Sequence, residues 1–265
     1  MSASPPLADP SLRWTALLLA GSRPGGDPFA AANGVQYKPL IPVAGEAMVR
    51  RPLRALLATP AIAVIRVLAQ DVEAIGNALD ADPRVSVERS GETIATTIEA
   101  ILADPGTTFP ILVTTADHAL LTPEMIAQFI GAALETDLSI GLVERRLLDE
   151  RLPRTKRTWV AFRGGAYSGA NLFAFGSREA ARAVALWRAV EQDRKKGWRM
   201  LFAFGPSLLL GAGLRLRTLD QSLDAIGLRL GLSLKAIRMD DPLAAVDVDK
   251  PADLTLVEAI LKGDA

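Results

Sequence analysis

The stretch that decides the fold is Trp14 to Pro42, WTALLLAGSRPGGDPFAAANGVQYKPLIP. Its apolar run, Trp14 to Ala20, has the length of a buried strand, and it breaks at Gly21 into a glycine- and proline-rich loop that ends at Lys38. Because such a turn exposes backbone N–H groups at the carboxyl edge of a sheet, the stretch predicts a phosphate-binding loop, with Lys38 as a mobile charge. An ordinary surface loop with a solvated lysine is the alternative interpretation.

The totals for the chain exclude several classes of protein. The 265 residues suit one α/β domain with an insertion, or two small lobes. Thirty basic residues balance 30 acidic ones, so neither a nucleic-acid partner nor a polybasic membrane arm is indicated. The absence of cysteine excludes disulfides and thiolate metal sites, and fits a reducing, cytoplasmic location. Only one histidine is present, so a histidine-rich metal site is excluded as well.

The N-terminus lacks the basic and apolar regions of a signal peptide. Its prolines predict a flexible tail over residues 1–13, followed by a single domain over 14–265. No uninterrupted apolar stretch reaches the roughly 18 residues expected of a membrane span.

Strand and helix patterns alternate through the first half of the chain. Strands are predicted at Ile62–Ala69, Val85–Glu88, Pro110–Thr114 and Leu138–Val143, and helices at Met48–Ala58, Asp71–Leu79, Thr93–Ala103 and Thr122–Glu135. This alternation predicts an α/β fold with a mostly parallel central sheet and helices on both faces. A strand at Leu232–Ile237 and a helix at Pro251–Leu261 close the chain.

Residues 145–230 depart from this alternation. A basic cluster is followed by two strands, Trp159–Phe162 and Ala170–Phe175, and then by a broken helical pattern, which together predict an insertion with a helical lid. Residues 194–214 begin with three basic residues, and the part from Trp198 to Leu214 is unusually apolar. Buried core is the simplest interpretation of them, and a lid, a homodimer surface or a peripheral membrane contact are the alternatives.

Two acidic motifs follow short apolar runs of the sequence. Asp117 in LVTTADHALLTPEMI lies just past a buried strand, in the crevice where open α/β sheets bind ligands. Asp247 and Asp249 in AAVDVDKPADL lie on one face of an extended segment before the last helix. Mg²⁺ takes such oxygen ligands together with water and substrate phosphates. A turn role is the alternative for Asp117, and His118 is interpreted as a supporting or surface histidine rather than a catalytic one.

The chain resembles the nucleotidyltransferases of the MobA-like, GT-A-like NTP transferase superfamily. The resemblance is carried by four pieces in this order: LLLAG, KPLIPVAGEAMVRRPLRALL, Asp117 and DVDKPADL. The pattern is similar to that of molybdenum-cofactor guanylyltransferases and of sugar- or alditol-phosphate cytidylyltransferases. This sequence departs from the family in having Ser22 for a second glycine, a longer gap before Lys38, and Asp117-His118-Ala119 where the family has D-x-P or D-x-D.

The resemblance implies a role for each matching residue. The backbone of the loop would bind the triphosphate of CTP or GTP, Arg23 its outer phosphates and Lys38 its α-phosphate, while Mg²⁺ or Mn²⁺ would bind Asp117 and Asp249 with support from Asp247. The residues implied in nucleotide binding are Leu19, Ala20, Gly21, Ser22, Gly91 and Thr93. An ordinary helix N-terminus is the alternative for the last two.

The acceptor would be a small phosphorylated molecule, such as a sugar, a polyol or a cofactor precursor. YSGANLFAF resembles the family strand near the acceptor, so Gly169 and Asn171 would contact it. Arg154, Lys156 and Arg157 are candidates for binding its phosphate, and a solvated basic loop is the alternative.

The function predicted is therefore a Mg²⁺-dependent transfer of a nucleoside monophosphate from an NTP to that acceptor, with release of pyrophosphate. Two alternatives remain at this point. A GT-A glycosyltransferase that uses an NDP-sugar normally has the D-x-D that is absent here. A non-catalytic nucleotide-binding module is motivated by Ser22 and by the long loop before Lys38.

Overall fold

The structure, a computed structural model, describes residues 12–22, 25–153, 155, 157–192 and 217–264. The predictions for Arg23, Arg154, Lys156, most of the tail and the entire 194–214 segment lie outside the described residues. Among the residues described, no helix is long and apolar enough to cross a bilayer.

The centre of the molecule is a mostly parallel sheet in the order β10-β7-β9-β6-β1-β4-β5, with β8 paired to β9. Its strands are β1 (Trp14–Leu19), β4 (Ile62–Ala69), β5 (Val85–Arg89), β6 (Ile111–Thr115), β7 (Leu138–Glu144), β8 (Val160–Phe162), β9 (Gly165–Phe175) and β10 (Leu234–Arg238). Among the described strands of this sheet, β9 runs antiparallel to its three neighbours β6, β7 and β8, and the other pairs are parallel. A small separate hairpin consists of β2 (Pro42–Val43) and β3 (Glu46–Ala47).

Helices cover both faces of the sheet, which confirms the predicted α/β class. The helices are α1 (Pro28–Ala32), α2 (Arg50–Leu57), α3 (Val72–Asn77), α4 (Ile94–Ala103), α5 (Pro123–Ala132), α6 (Arg145–Arg151), α7 (Ala181–Gln192), α8 (Leu219–Leu230) and α9 (Pro251–Lys262). Short 3-10 helices lie at Lys38–Leu40, Arg178–Ala180 and Pro242–Ala245.

Alternation along β1 explains why an apolar core lies on each face of the sheet. Ala16 and Leu18 point into a core shared with α2 and α5, while Leu17 points into a second core shared with α4 and α7. A strand buried on both faces must be apolar throughout, as this one is.

The predicted helix starts are set by hydrogen-bonded caps. The Asp71 carboxylate accepts the Ala74 N–H at the start of α3, and the Thr122 hydroxyl accepts the Met125 N–H at the start of α5. These helices begin directly after turns at the carboxyl edge of the sheet, so the caps also fix the loops that line the site.

The described part of residues 145–230 contributes a strand to the central sheet, and the division into an insertion with a helical lid stays a prediction. β9 begins at Gly165 rather than Ala170 and lies inside the central sheet, between β6 and β7. The basic stretch 145–151 is helix α6, and α7 packs against α4 rather than over the site. Glycine and alanine obscured the first half of β9, because these residues carry little strand signal.

Candidate active site

Four parallel strands end at one edge of the sheet and place the candidate site there. Gly21 follows β1, Gln70 follows β4, Gly91 follows β5 and Asp117 follows β6. Together with Lys38 they line a cleft with a volume of about 550 Å³. This is the position at which open α/β sheets bind nucleotides. We call it the nucleotide-side cleft.

Three charged side chains meet at the mouth of this cleft. The Lys38 Nζ lies 2.7 Å from an Asp117 carboxylate oxygen and 2.6 Å from an Asp249 carboxylate oxygen. The two acids are 79 and 211 residues from the lysine in sequence. Lys38 is 16% exposed and Asp117 21%, whereas Asp249 is 54% exposed. The predicted convergence is therefore observed, while the role of each side chain stays a prediction.

Backbone contacts hold the two acidic segments together. The Val248 N–H donates to the Asp117 carbonyl oxygen at 3.0 Å, which joins the segment before α9 to the end of β6. The Asp249 N–H donates to the buried Asp253 carboxylate at 3.1 Å, and the Thr115 hydroxyl donates to the Asp117 carboxylate. Asp253 thus positions Asp249, in addition to its favourable place in the first turn of α9.

Two acidic partners, Asp117 and Asp249, favour the charged form of Lys38. Burial acts to lower the pKa of Lys38, but the attraction and hydrogen bonds of Asp117 and Asp249 outweigh it, so the pKa is raised above its ordinary value. Lys38 is therefore a permanent cation at neutral pH and supplies positive charge at the junction of the two acids.

Two backbone N–H groups of the glycine loop that the sequence predicted to bind a phosphate already donate to acceptors within the protein. The Ala20 N–H donates to the Leu68 carbonyl oxygen and extends the ladder between β1 and β4, so it is not available to a phosphate. The Ser22 N–H donates to the Gln70 side-chain oxygen at 2.7 Å. Because a backbone N–H can only donate, the Gln70 oxygen faces Ser22 and the Gln70 carboxamide nitrogen lies toward Gly21. A Cβ built on Gly21 would lie 3.0 Å from this nitrogen.

Gln70 is a site residue that the sequence did not reveal. It lines the nucleotide-side cleft, and it contacts a loop 48 residues earlier in the chain. Its position directly after β4, at the same edge as Gly21, was the available signal. Any ligand that takes the Ser22 N–H must displace this side chain.

Gly91 and Thr93 line the same cleft, but each also has a structural role. The Thr93 hydroxyl takes part in a capping box with Thr96 at the start of α4. The Gly91 N–H donates to the Thr97 hydroxyl at 2.9 Å, and a Cβ on Gly91 would lie 3.1 Å from the Thr96 hydroxyl. The helix-terminus interpretation of the sequence therefore accounts for their local contacts.

A second cleft, with a volume of about 480 Å³, lies on the other side of Asp249. Gly169, Asn171, Arg157, Asp247 and Asp249 all line it. We call it the acceptor-side cleft. Since Asp249 lines both clefts, the two spaces meet at this residue.

Arg157 does not present the free charge that its sequence position predicts. Its guanidinium pairs with the Asp247 carboxylate and lies 3.7 Å from Asp253, and its side chain is buried. Burial raises the pKa of Asp247, with Asp249 and Asp117 acting in the same direction and Arg157 opposing them. Arg157 therefore neutralises Asp247 within the wall of the cleft.

Asn171 is aimed at the cleft by an irregularity in β9. The pairing of β9 with β7 shifts register between Ile140 and Leu142, and Asn171 has a φ of 49°. Asparagine tolerates this left-handed conformation better than most residues, and bulges often re-aim side chains near active sites. The Asn171 amide nitrogen donates to Asp247 at 3.4 Å.

His118 is buried, so it is not the surface residue that one interpretation of the sequence allowed. Neither ring nitrogen has a hydrogen-bond partner among the described residues. Burial lowers the pKa of His118 to about 4, against the opposing attraction of Asp117, so the ring is neutral at pH 7.

We expect His118→Leu to keep or raise the melting temperature. The exchange removes a buried polar ring that lacks partners, and such a group costs roughly 1–3 kcal/mol. Pyrophosphate release should change by less than about threefold, since the ring does not face either cleft. Thermal unfolding and the release assay check both points, and a large loss of activity in a folded variant would give His118 a part in the reaction.

No three histidine, aspartate or glutamate side chains form a metal-binding group within the described ranges of the chain. The acids that the resemblance assigned to a metal are paired with basic side chains instead. Lys38 joins Asp117 and Asp249, and Arg157 pairs with Asp247.

Several solved structures resemble the whole chain. A hypothetical transferase from Thermus thermophilus is 28% identical, with a TM-score of 0.76, over 92% of this chain and 100% of that one. A 4-diphosphocytidyl-2C-methyl-D-erythritol synthase from Anaerococcus prevotii is 14% identical, with a TM-score of 0.58, over 95% and 96%. A CMP:2-keto-3-deoxy-manno-octonic acid synthetase, solved with CTP, is 12% identical, with a TM-score of 0.56, over 96% and 100%. The last two similarities concern the fold alone.

None of the curated proteins matches the chain. The family model of the MobA-like NTP transferase domain matches residues 16–203, which is more than half of the sequence. The protein therefore belongs to the MobA-like NTP transferase domain family and is a nucleotidyltransferase.

Proposed function

We propose that the protein transfers a nucleoside monophosphate from CTP or GTP to a small phosphorylated acceptor, such as a sugar, a polyol or a cofactor precursor. The observation that carries this proposal is the position of Asp249, which lines both clefts and pairs with Lys38 beside Asp117. A reaction between two substrates needs such a junction, because the reacting atoms must be held close together. We further propose a cytoplasmic location, in keeping with the cysteine-free sequence.

The triphosphate would lie in the nucleotide-side cleft, along Gly21 and Ser22, with its α-phosphate toward Lys38. An oxygen of the acceptor phosphate attacks the α-phosphorus, a new P–O bond forms, and the bond to the bridging oxygen breaks as pyrophosphate leaves. Negative charge on the phosphoryl oxygens would be met by Lys38, whose ammonium group is held by Asp117 and Asp249 before the reaction. No side-chain nucleophile is required.

The acidic residues at the junction fit a hard divalent cation such as Mg²⁺ or Mn²⁺. Carboxylates are the oxygen ligands that these ions take, and phosphates and water complete the coordination. Asp247, whose pKa is raised by burial and by its two acidic neighbours, lies where added positive charge would be favourable. Asp117 and Asp249 would hold the ion, with Asp247 in support, and the ion would supply charge neutralisation at the phosphates.

A nucleotide panel tests the proposal directly. We expect CTP or GTP with Mg²⁺ to raise the melting temperature more than ATP or UTP, and EDTA to remove that increase. The preferred nucleotide with a phosphorylated acceptor should then release pyrophosphate in a coupled assay. No stabilisation by any of the four nucleotides would contradict the proposed activity.

A further inference from the structure

Part of the lining of the acceptor-side cleft is an apolar wall, in which Tyr167 and Leu219 are buried in a small cluster with other wall residues. β7 contributes Ile140 and Leu142, β8 contributes Val160 and Phe162, and β9 contributes Tyr167. Leu219 and Leu223, one turn apart on α8, complete the wall.

Strand pairing explains how these residues come to share one surface. Alternate residues of a strand point to the same face, which puts Ile140 with Leu142 and Val160 with Phe162. Val160 pairs with Tyr167 across β8 and β9, and the Phe162 and Tyr167 rings lie 6.2 Å apart. Val160 remains 55% exposed, so this part of the wall is open to a ligand.

Gly169 leaves room beside this wall. It pairs with Leu142 in the register of β9 and β7, and a Cβ built on it would meet nothing within 4 Å. Its φ lies outside the left-handed region, so the backbone does not require glycine here. The open space is therefore a property of the cleft and not of a strained turn.

The aliphatic and phenylalanine side chains of this wall offer no hydrogen-bond partners to an acceptor rich in hydroxyl groups. The polar side chains that line the cleft include Thr158, Ser168 and Lys250, as well as Arg157, which is already paired with Asp247. Hydroxyl groups turned toward Val160, Phe162 and Leu223 would lose water without gaining a partner, which is costly. An apolar or aromatic group placed there would instead gain from burial.

We infer that the acceptor carries an apolar or aromatic body next to its phosphate, with the phosphate at Asp249 and the body against the wall of β7, β8 and α8. This inference rests on the nucleotidyl transfer proposed above. Among the acceptors considered, it favours a cofactor precursor with a flat or apolar body over a sugar or polyol phosphate.

The test compares two monophosphates that differ in their bodies, 1-naphthyl phosphate and glycerol 3-phosphate. Calorimetry is carried out on the full chain with Mg²⁺ and a non-hydrolysable analogue of CTP or GTP. We expect 1-naphthyl phosphate to bind about tenfold more tightly or better, from the burial of its rings. Equal binding, undetectable binding of both, or a preference for glycerol 3-phosphate would overturn the inference.

Two variants locate the preference in the cleft. Leu223→Asn should remove it, whereas Leu228→Asn on the same helix, at a position that is 86% exposed, should leave it unchanged. Gly169→Val should block both probes while thermal stabilisation by the nucleotide persists. A preference that survives Leu223→Asn would contradict the site. Loss of nucleotide binding by the unaltered protein would instead count against the proposed function, so the two failures are distinguishable.

Discussion

Lys38→Met is expected to lower the rate of pyrophosphate release about a hundredfold to a thousandfold, the loss seen when a preorganised charge at a reacting oxygen is removed. Methionine keeps most of the length and the apolar stem of lysine, so the change removes the positive charge between Asp117 and Asp249 together with the hydrogen bonds that it donates to them. The effect should fall on kcat more than on the KM for the nucleotide, because the charge is needed most in the transition state.

Lys262→Met provides the matched control, since Lys262 is exposed at the end of α9. It should release pyrophosphate at the rate of the unaltered protein. A folded Lys38→Met variant with nearly full activity would show that the central lysine only stabilises the structure.

Asp117→Asn is expected to lower the same rate about a thousandfold, a loss of several kcal/mol in transition-state stabilisation. Asparagine keeps the shape of aspartate and an oxygen that accepts from Thr115, but it is a poor ligand for Mg²⁺ and a poor partner for Lys38. Raising the Mg²⁺ concentration should restore part of the activity if the metal role is correct.

Asp224→Asn, at an exposed position on α8, is the control for the loss of one acidic charge, and we expect it to be neutral. If Asp117→Asn kept the activity and the Mg²⁺ dependence of the unaltered protein, Asp117 would have no part in metal binding.

The elements that the sequence predicted well have strong local signals. The apolar run of β1 and the caps at Asp71 and Thr122 set boundaries through short-range hydrogen bonds and burial. The rule that parallel strands end at a common edge of the sheet brings Gly21 and Asp117 together. The meeting of Lys38, which lies in a 3-10 helix well beyond the end of β1, with Asp117 was implied by the family resemblance.

The features that the sequence missed depend on contacts between distant segments. The bond from Ser22 to Gln70 joins two strand ends, and the pairing of Arg157 with Asp247 spans 90 residues. A basic residue in a basic stretch gives no sign that a buried acid will neutralise it. The antiparallel position of β9 was hidden in the same way, because strand order depends on tertiary packing rather than on composition.

The family match favours the nucleotidyltransferase over both alternatives left open by the sequence. A glycosyltransferase that uses an NDP-sugar shares the fold, but the matched family is that of the NTP transferases. The departures at Ser22 and in the loop before Lys38 do not separate Lys38 from the acids, which removes the main reason to consider a non-catalytic module.

The most direct test is a crystal structure with Mn²⁺ and a non-hydrolysable analogue of CTP or GTP, measured at a wavelength where manganese scatters anomalously. We predict a manganese peak at roughly 2 Å from carboxylate oxygens of Asp117 and Asp249, with the α-phosphate beside Lys38 and open to the acceptor-side cleft. Manganese bound with the nucleotide at any other acids, or a nucleotide outside the nucleotide-side cleft, would contradict the account.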